Sequence, residues 1–308
     1  MSDMADIPAF FEEMLSDQYG SDDAARIAEG CNVARPVTLR ANALLSTRDE
    51  VAHKLDEAGF AWNGVGWYDD AFIVSGVRER DLWDMPLYQE GKVYLQSLSS
   101  MLPPLVLDAR AGEDVCDMCA APGGKTTQIA ALSGNKALIT ACEMSVPRAE
   151  KLQYNLAKLG AANVVVMKTD ARRMDDFFSF DRILVDAPCS GSGTLRADNP
   201  KALKRFTPAL VEKSKKSQRA LFTKALAMLK KGGTMVYSTC SILSGENEEV
   251  VLQGLRQARK RGTYEVEPID LPGSQDIPLL PTSLEGALCV CPTDLYEGFF
   301  VVKIKRKA

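Results

Sequence analysis

Two thiols stand where this sequence can do chemistry. Residues 186–194 read Asp186-Ala187-Pro188-Cys189-Ser190-Gly191-Ser192-Gly193-Thr194, straight after the apolar run Ile183-Leu184-Val185. Residues 237–242 read Tyr237-Ser238-Thr239-Cys240-Ser241-Ile242, after Thr234-Met235-Val236. Each cysteine lies just past a stretch of strand character, so adjacent strands would put both thiols over one cleft. A thiolate so placed can add to an electron-poor carbon. A free thiol has a pKa of about 8.5, so the reacting one needs a positive neighbour. The residues alone do not rank the two.

Other uses of these side chains fit less well. The chain has eight cysteines and one histidine, His53. Cys116-Asp117-Met118-Cys119 has the spacing of half a zinc site. Its natural complement, Cys289-Val290-Cys291, has one intervening residue instead of two, so no metal is expected. A histidine-assisted nucleophile would have to use His53, which reads as an exposed residue of an amphipathic helix. Proton chemistry therefore falls to carboxylates, cysteines or lysines.

A second constellation is Asp117-Met118-Cys119-Ala120-Ala121-Pro122-Gly123-Gly124-Lys125-Thr126-Thr127. Gly-Gly-Lys-Thr invites a phosphate-loop reading, but the glycine that motif needs five residues earlier is Cys119. The dinucleotide fingerprint is absent too. What remains is a turn of small residues, Cys119, Ala120, Ala121, Pro122, Gly123, Gly124 and Lys125, opening a helix and letting a ligand approach the backbone. Lys125 either points into the cleft beside a thiol or caps the turn. Acids close four apolar runs: Asp117, Glu143, Asp170 and Asp186. Glu143 suits the hydroxyls of a ribose and Asp170 an adenine amino group. Such a row fits a ligand with hydroxyls, an amine and no phosphate, namely S-adenosylmethionine.

These groups need strand ends to stand on. Short strands are predicted at 114–118, 137–142, 164–167, 183–185, 234–238 and 299–304, and helices at 125–132, 147–159, 208–229 and 246–259. Gly232-Gly233 is read as the break before the fifth strand. This alternation predicts a doubly wound, mostly parallel sheet, which binds ligands beyond its carboxyl ends. Before it, helices near 8–20, 21–30 and 48–59, a strand at 37–42 and short strands at 67–68 and 71–74 make a small α+β unit of residues 1–90, leaving 91–308 as the catalytic domain.

Of the 308 residues 46% are apolar and 25% charged, with net charge −4, which argues against a general coat for nucleic acid. Residues 196–219 differ, with Arg196, Lys201, Lys204, Arg205, Lys213, Lys215, Lys216 and Arg219 against Asp198 and Glu212; residues 303–307 are basic as well. A phosphate-binding strip or a solvated face accounts for such runs. No apolar run is long enough to cross a membrane, and the first residues lack a basic and apolar export signal, so a cytoplasmic monomer is expected.

Four segments together resemble the RNA 5-methylcytosine methyltransferases of the NOL1/NOP2/Sun family: Tyr94-Leu95-Gln96-Ser97, 117–125, 186–194 and Tyr237 to Ile242. The resemblance covers about residues 91–305 and implies the class I S-adenosylmethionine-dependent fold with a seven-stranded sheet. More weakly, it implies that the N-terminal unit faces RNA. It makes residues 119–125 the cofactor turn, Glu143 the ribose acid, Arg148 its partner, and Asp170 and Asp186 further cofactor contacts. It also makes Cys240 the nucleophile and Cys189 the thiol that assists release. Cytosine carbon 5 attacks a methyl donor only after a thiolate has added to carbon 6. Asp186 would grip the ring, with Lys125 nearby, and Gly191 and Gly193 would leave room for a flipped base. Ribosomal RNA is the first substrate implied and transfer RNA the second. A DNA cytosine methyltransferase would use Cys189 of the Pro-Cys pair, but that pair is usually followed by glutamine where Ser190 stands. A non-catalytic RNA-binding protein on this fold would have no use for both thiols, Asp186 and Lys125.

Overall fold

The computed structural model describes residues 7–307. Helix α1 (Ala9–Cys31) is bent at Gly20, whose φ of 78° is left-handed, so two helical pieces are joined as the sequence predicted. A small sheet follows, from β1 (Val37–Ala41), β2 (Trp62–Val65) and β3 (Tyr68–Val74), with α2 (Arg48–Glu57) between the first two. Thr47 caps α2 by accepting from the Glu50 N–H. Asp69 and Asp70 do not divide two strands as expected; they lie within β3, which pairs antiparallel with β1 and β2. Short helices α3 (Glu79–Trp83) and α4 (Pro86–Gln89) lead to β4 (Val93–Leu95), the fourth strand of this sheet, ordered β2-β3-β1-β4. The small sheet thus takes its edge from residues past 90, while α1 packs with the larger unit through Phe11, Leu15 and Ile27.

The larger unit holds α5 (Leu98–Leu107), β5 (Asp114–Asp117), α6 (Gly124–Leu132), β6 (Leu138–Cys142), α7 (Val146–Lys158), β7 (Val164–Met167), β8 (Phe180–Asp186), α8 (Pro200–Arg205), α9 (Pro208–Met228) and β9 (Leu229–Thr239). It ends with α10 (Glu248–Ala258), β10 (Tyr264–Glu267), β11 (Leu279–Leu280), β12 (Leu288–Val290) and β13 (Phe299–Arg306). The strand order is β11-β12-β13-β9-β8-β5-β6-β7, with β10 also on β13. Strands β7, β6, β5, β8 and β9 are parallel; β13 runs antiparallel to β9. The sheet has nine strands instead of seven because β12 and β10 share the outer edge of β13 end to end, and two-residue β11 pairs beyond β12. Gly232 and Gly233 lie inside β9, not before it.

Helices α5, α6 and α7 cover one face through Leu102, Ile129 and Leu152, while α1, α9 and α10 cover the other through Phe11, Phe222 and Val251. No helix among the described residues is long and apolar enough to cross a membrane. The seam between the two units contains Arg40, fully buried on β1. Its guanidinium donates to Gln96 at 3.4 Å and Thr127 at 3.3 Å, and Gln96 donates to Gln128 at 3.1 Å. Burial lowers the Arg40 pKa, with Tyr68 and Asp70 opposing it. The small sheet is thereby tied to α6, the helix that begins at the 119–125 turn.

On the opposite face, Gly254 of α10 lies against the Phe222 ring of α9, where a Cβ would overlap the ring. Phe222 meets Tyr237 edge-on at 5.4 Å, and Tyr237 meets Phe300. Gly254→Ala is expected to destabilise the chain by about 1–3 kcal/mol, read as a lower urea midpoint with an unchanged slope.

Candidate active site

The loops after β8 and β9 carry the two thiols. These strands are parallel neighbours, with Asp186 opposite Ser238, so Cys189 and Cys240 emerge side by side and their Sγ atoms lie 3.0 Å apart. Their positions depend on Glu246, which is fully buried. One carboxyl oxygen accepts from the Ser190 N–H at 2.8 Å and from Gln218 at 3.1 Å. The other accepts from the hydroxyls of Ser190 and of Ser241, the latter at 2.6 Å. Ser190 and Ser241 are the residues directly after the two cysteines, so one carboxyl group fixes both loops. Asn247 adds a brace, donating to the Ser241 carbonyl and accepting from the Thr239 hydroxyl. The sequence reading missed Glu246, because an acid at the start of a helix is ordinary and nothing local marks it as buried.

Lys125 points into the cleft, settling the alternative of a turn cap. Its ammonium lies 2.9 Å from the Asp186 carboxylate, donates to Ser100 at 2.8 Å, and sits 5.4 Å from the centre of the Phe299 ring. Burial works against this charge, but Asp186, Cys240 and Asp117 together outweigh it, so the Lys125 pKa is raised. Asp186 also accepts from the Ser238 hydroxyl at 2.8 Å. Cys240, Lys125, Asp186, Thr194 and Phe299 line a cavity of about 320 Å³. Cys189, half-buried beside Cys240, does not line this cavity. Its hydrogen bond with Cys240, then burial, pushes its thiol well above the usual range. Asp117 lies deeper, and burial raises it to about 6 although Thr126 and the Cys119 N–H donate to it.

The 119–125 turn forms the cavity's other wall. Gly123 has φ of +112°, which favours glycine, and a Cβ on Gly124 would lie 2.7 Å from the Tyr94 ring. Backbone bonds seat the turn: Ala120 N–H donates to the Cys142 carbonyl, and the Ala121 carbonyl accepts from Arg148. Arg148 also pairs with Glu143 at 3.0 Å, and Glu143 accepts from the Ser145 N–H at 2.8 Å. Cys119 joins this cavity to an adjoining recess lined by Met118, Glu143, Met144, Asp170 and Leu221. Thioether and leucine walls flanked by two carboxyl groups suit a flat base with its ribose, so the donor set fits the adenosine of S-adenosylmethionine. Asp170 enters the recess already paired, since Arg172 spans both its oxygens, and that interaction lowers its pKa.

Gly193 does not leave room for a base. Its N–H donates to the Cys240 carbonyl and its carbonyl accepts from Gly298, whose backbone occupies the place of a Cβ. Gly191 is set by its φ of +79°. Gly193 is needed for tight backbone packing and Gly191 for its left-handed turn. His53 is exposed and pairs with Glu57, and among the described residues no cluster of three or more His, Cys, Asp or Glu is placed to hold a metal. In the basic run, Arg196 pairs with Asp198 and Lys215 with Glu212, whereas Lys201, Lys204 and Lys213 are exposed.

Comparison with known proteins extends this picture. Residues 104–305 match the family described as 16S rRNA methyltransferase RsmB/F, and residues 7–78 match the RsmF/B-like ferredoxin-like domain. The chain is 37% identical over 281 residues to the ribosomal RNA small subunit methyltransferase F of Shewanella piezotolerans, covering 87% of this chain and 57% of that one. It thus spans a little over half the length of this relative. A methyltransferase homolog protein from Pyrococcus horikoshii is similar in structure, with TM-score 0.82, 31% identity and coverage of 97% of this chain and 95% of that one. NSun6 from the same organism, solved with SFG, shares the fold at TM-score 0.86 and 22% identity, covering 98% of each chain.

Glu246→Ala leaves four buried or half-buried donors without their acceptor. It is expected to destabilise the chain by about 3 kcal/mol and to weaken capture of phenylarsine oxide, which needs two adjacent thiols. Unchanged unfolding and arsenical binding would refute the tie.

Proposed function

The chain belongs to the RsmB/F family, within the NOL1/NOP2/Sun RNA methyltransferases, and on that premise we propose that it methylates carbon 5 of a cytosine in small-subunit ribosomal RNA. The observation that carries the chemistry is the thiol pair 3.0 Å apart beside the Lys125–Asp186 ion pair. The cytoplasm, where ribosomal RNA is made and used in bacteria, is the proposed place of action.

The residues fall into a sequence of roles. Cys240 lines the cavity with Lys125 and supplies the attacking thiolate. That thiolate adds to carbon 6 of an unpaired or flipped cytosine, which makes carbon 5 nucleophilic. Asp186, oriented by Ser238 and Lys125, holds the polar edge of the ring. The 119–125 turn, Glu143 with Arg148, and Asp170 would hold S-adenosylmethionine. When bound, that cofactor supplies the sulfonium methyl group captured by the activated carbon. A base then takes the carbon 5 proton, and the electrons of that C–H bond re-form the ring double bond as the carbon 6–sulfur bond breaks, releasing the Cys240 thiolate. Cys189, within hydrogen-bond reach of Cys240, is placed to assist this expulsion by donating its S–H hydrogen bond to the departing sulfur.

The two thiols should separate on mutation. Cys240→Ser is expected to lower methyl transfer from labelled S-adenosylmethionine to 16S ribosomal RNA by at least about a thousandfold, while cofactor affinity is kept. Normal turnover by this variant would refute Cys240 as nucleophile. Cys189→Ala is expected to accumulate a protein–RNA adduct that survives a denaturing gel; no adduct would remove Cys189 from the release step. Bisulfite sequencing of total RNA with and without the gene locates the cytosine, and a lost mark in transfer RNA alone would overturn the ribosomal substrate.

A further inference from the structure

A second large cavity lies away from the thiols. It is an open trough of about 810 Å³ on the α9/α10 face, bounded by β10 and the end of β13. Arg172, Lys216, Arg219, Lys224, Arg261 and Arg306 line it, and Asp176 is its only acid. Arg172 also lines the adenosine recess, so the trough begins beside the cofactor site and runs towards the opposite edge of the sheet.

Internal pairing does not use up this charge. Arg172 is held by Asp170 and Lys224 by Asp176, while Arg219 only approaches Glu249, at 4.0 Å. Arg306 donates to the Leu229 and Arg261 carbonyls, which orient its guanidinium without neutralising it. Lys216 and Arg261 form no ion pair among the described residues. Six cations thus face three carboxylates, a local surplus of three positive charges on a chain whose net charge is −4. Folding has gathered residues 172, 261 and 306, far apart in sequence, around one trough. Four of the six are arginines, whose planar donors match phosphate oxygens in pairs.

We propose that this trough is a second RNA contact, binding the phosphate backbone of a substrate segment remote from the target cytosine. The inference rests on the RNA reading above and adds to it a footprint larger than the catalytic cleft. Such a footprint holds a large folded RNA by charge, leaving sequence selection to the cleft.

The test uses the full chain and two probes, a 16S ribosomal RNA transcript and a cytosine-containing single strand of about eight nucleotides. Arg261→Glu reverses an exposed charge; Thr223→Glu, on the trough wall, adds a carboxylate without removing a cation. Each is expected to weaken transcript binding by about tenfold and to flatten its dependence on log salt by about one. Binding of the short strand and of S-adenosylmethionine should be unchanged, which also shows that the variants are folded. Wild-type affinity and salt slope for the transcript in both variants would overturn the trough alone. An equal loss on the short strand would overturn its remoteness from the cleft. Failure of the unmodified protein to bind either RNA would remove the RNA reading and this inference together.

Discussion

A buried carboxyl group joins the two loops on which the chemistry rests. Glu246 receives donors from the residues following Cys189 and Cys240 and from Gln218 of α9. A polar group in an apolar interior is costly unless its hydrogen bonds are met, and here donors fill both oxygens. Neither loop can shift alone without leaving a donor or acceptor unmet. The parallel pairing of β8 and β9 brings the strand ends together, and Glu246 converts that proximity into a fixed thiol pair.

The electrostatics follow from this placement. Asp117, Asp186 and Lys125 share one corner, with a single cation between the carboxyl groups and Cys240. Burial raises the Asp117 pKa and works against the charge of Lys125. The pairing of Lys125 with Asp186 helps keep a positive charge at the cavity wall beside Cys240, while the hydrogen bond with Cys240 and then burial push the Cys189 thiol up.

The small N-terminal sheet supports the same corner from outside. Arg40 reaches from β1 to Thr127 of α6 and to Gln96, whose amide bonds to Gln128 of α6. Because α6 begins at the turn that presents Lys125, the docking of the small unit and the position of the ammonium are mechanically linked. On the far side of the sheet, α9 contributes Gln218 to Glu246 and Lys216, Arg219 and Lys224 to the basic trough. One helix therefore faces both the thiol loops and the charged surface.

Much of this was legible in the sequence. The alternation of apolar runs and helical segments from 113 onward determined the doubly wound sheet, because that periodicity is set by which faces must be buried. The acids at strand ends and the two cysteine motifs marked the ligand edge. Local pattern did not reveal short strands such as β12, which pairs with β13, and β11, which pairs with β12, nor that β9 runs through Gly232 and Gly233. It misread Gly193, whose need for a small side chain comes from Gly298, 105 positions away in sequence. The direction of Lys125, the burial of Glu246, the pairing of Asp170 with Arg172 and the gathering of Arg172, Arg261 and Arg306 were decided by the tertiary structure. Sequence fixes which groups a chain carries and the periodicity of its elements; long-range packing alone sets which of those groups meet and which lose their water.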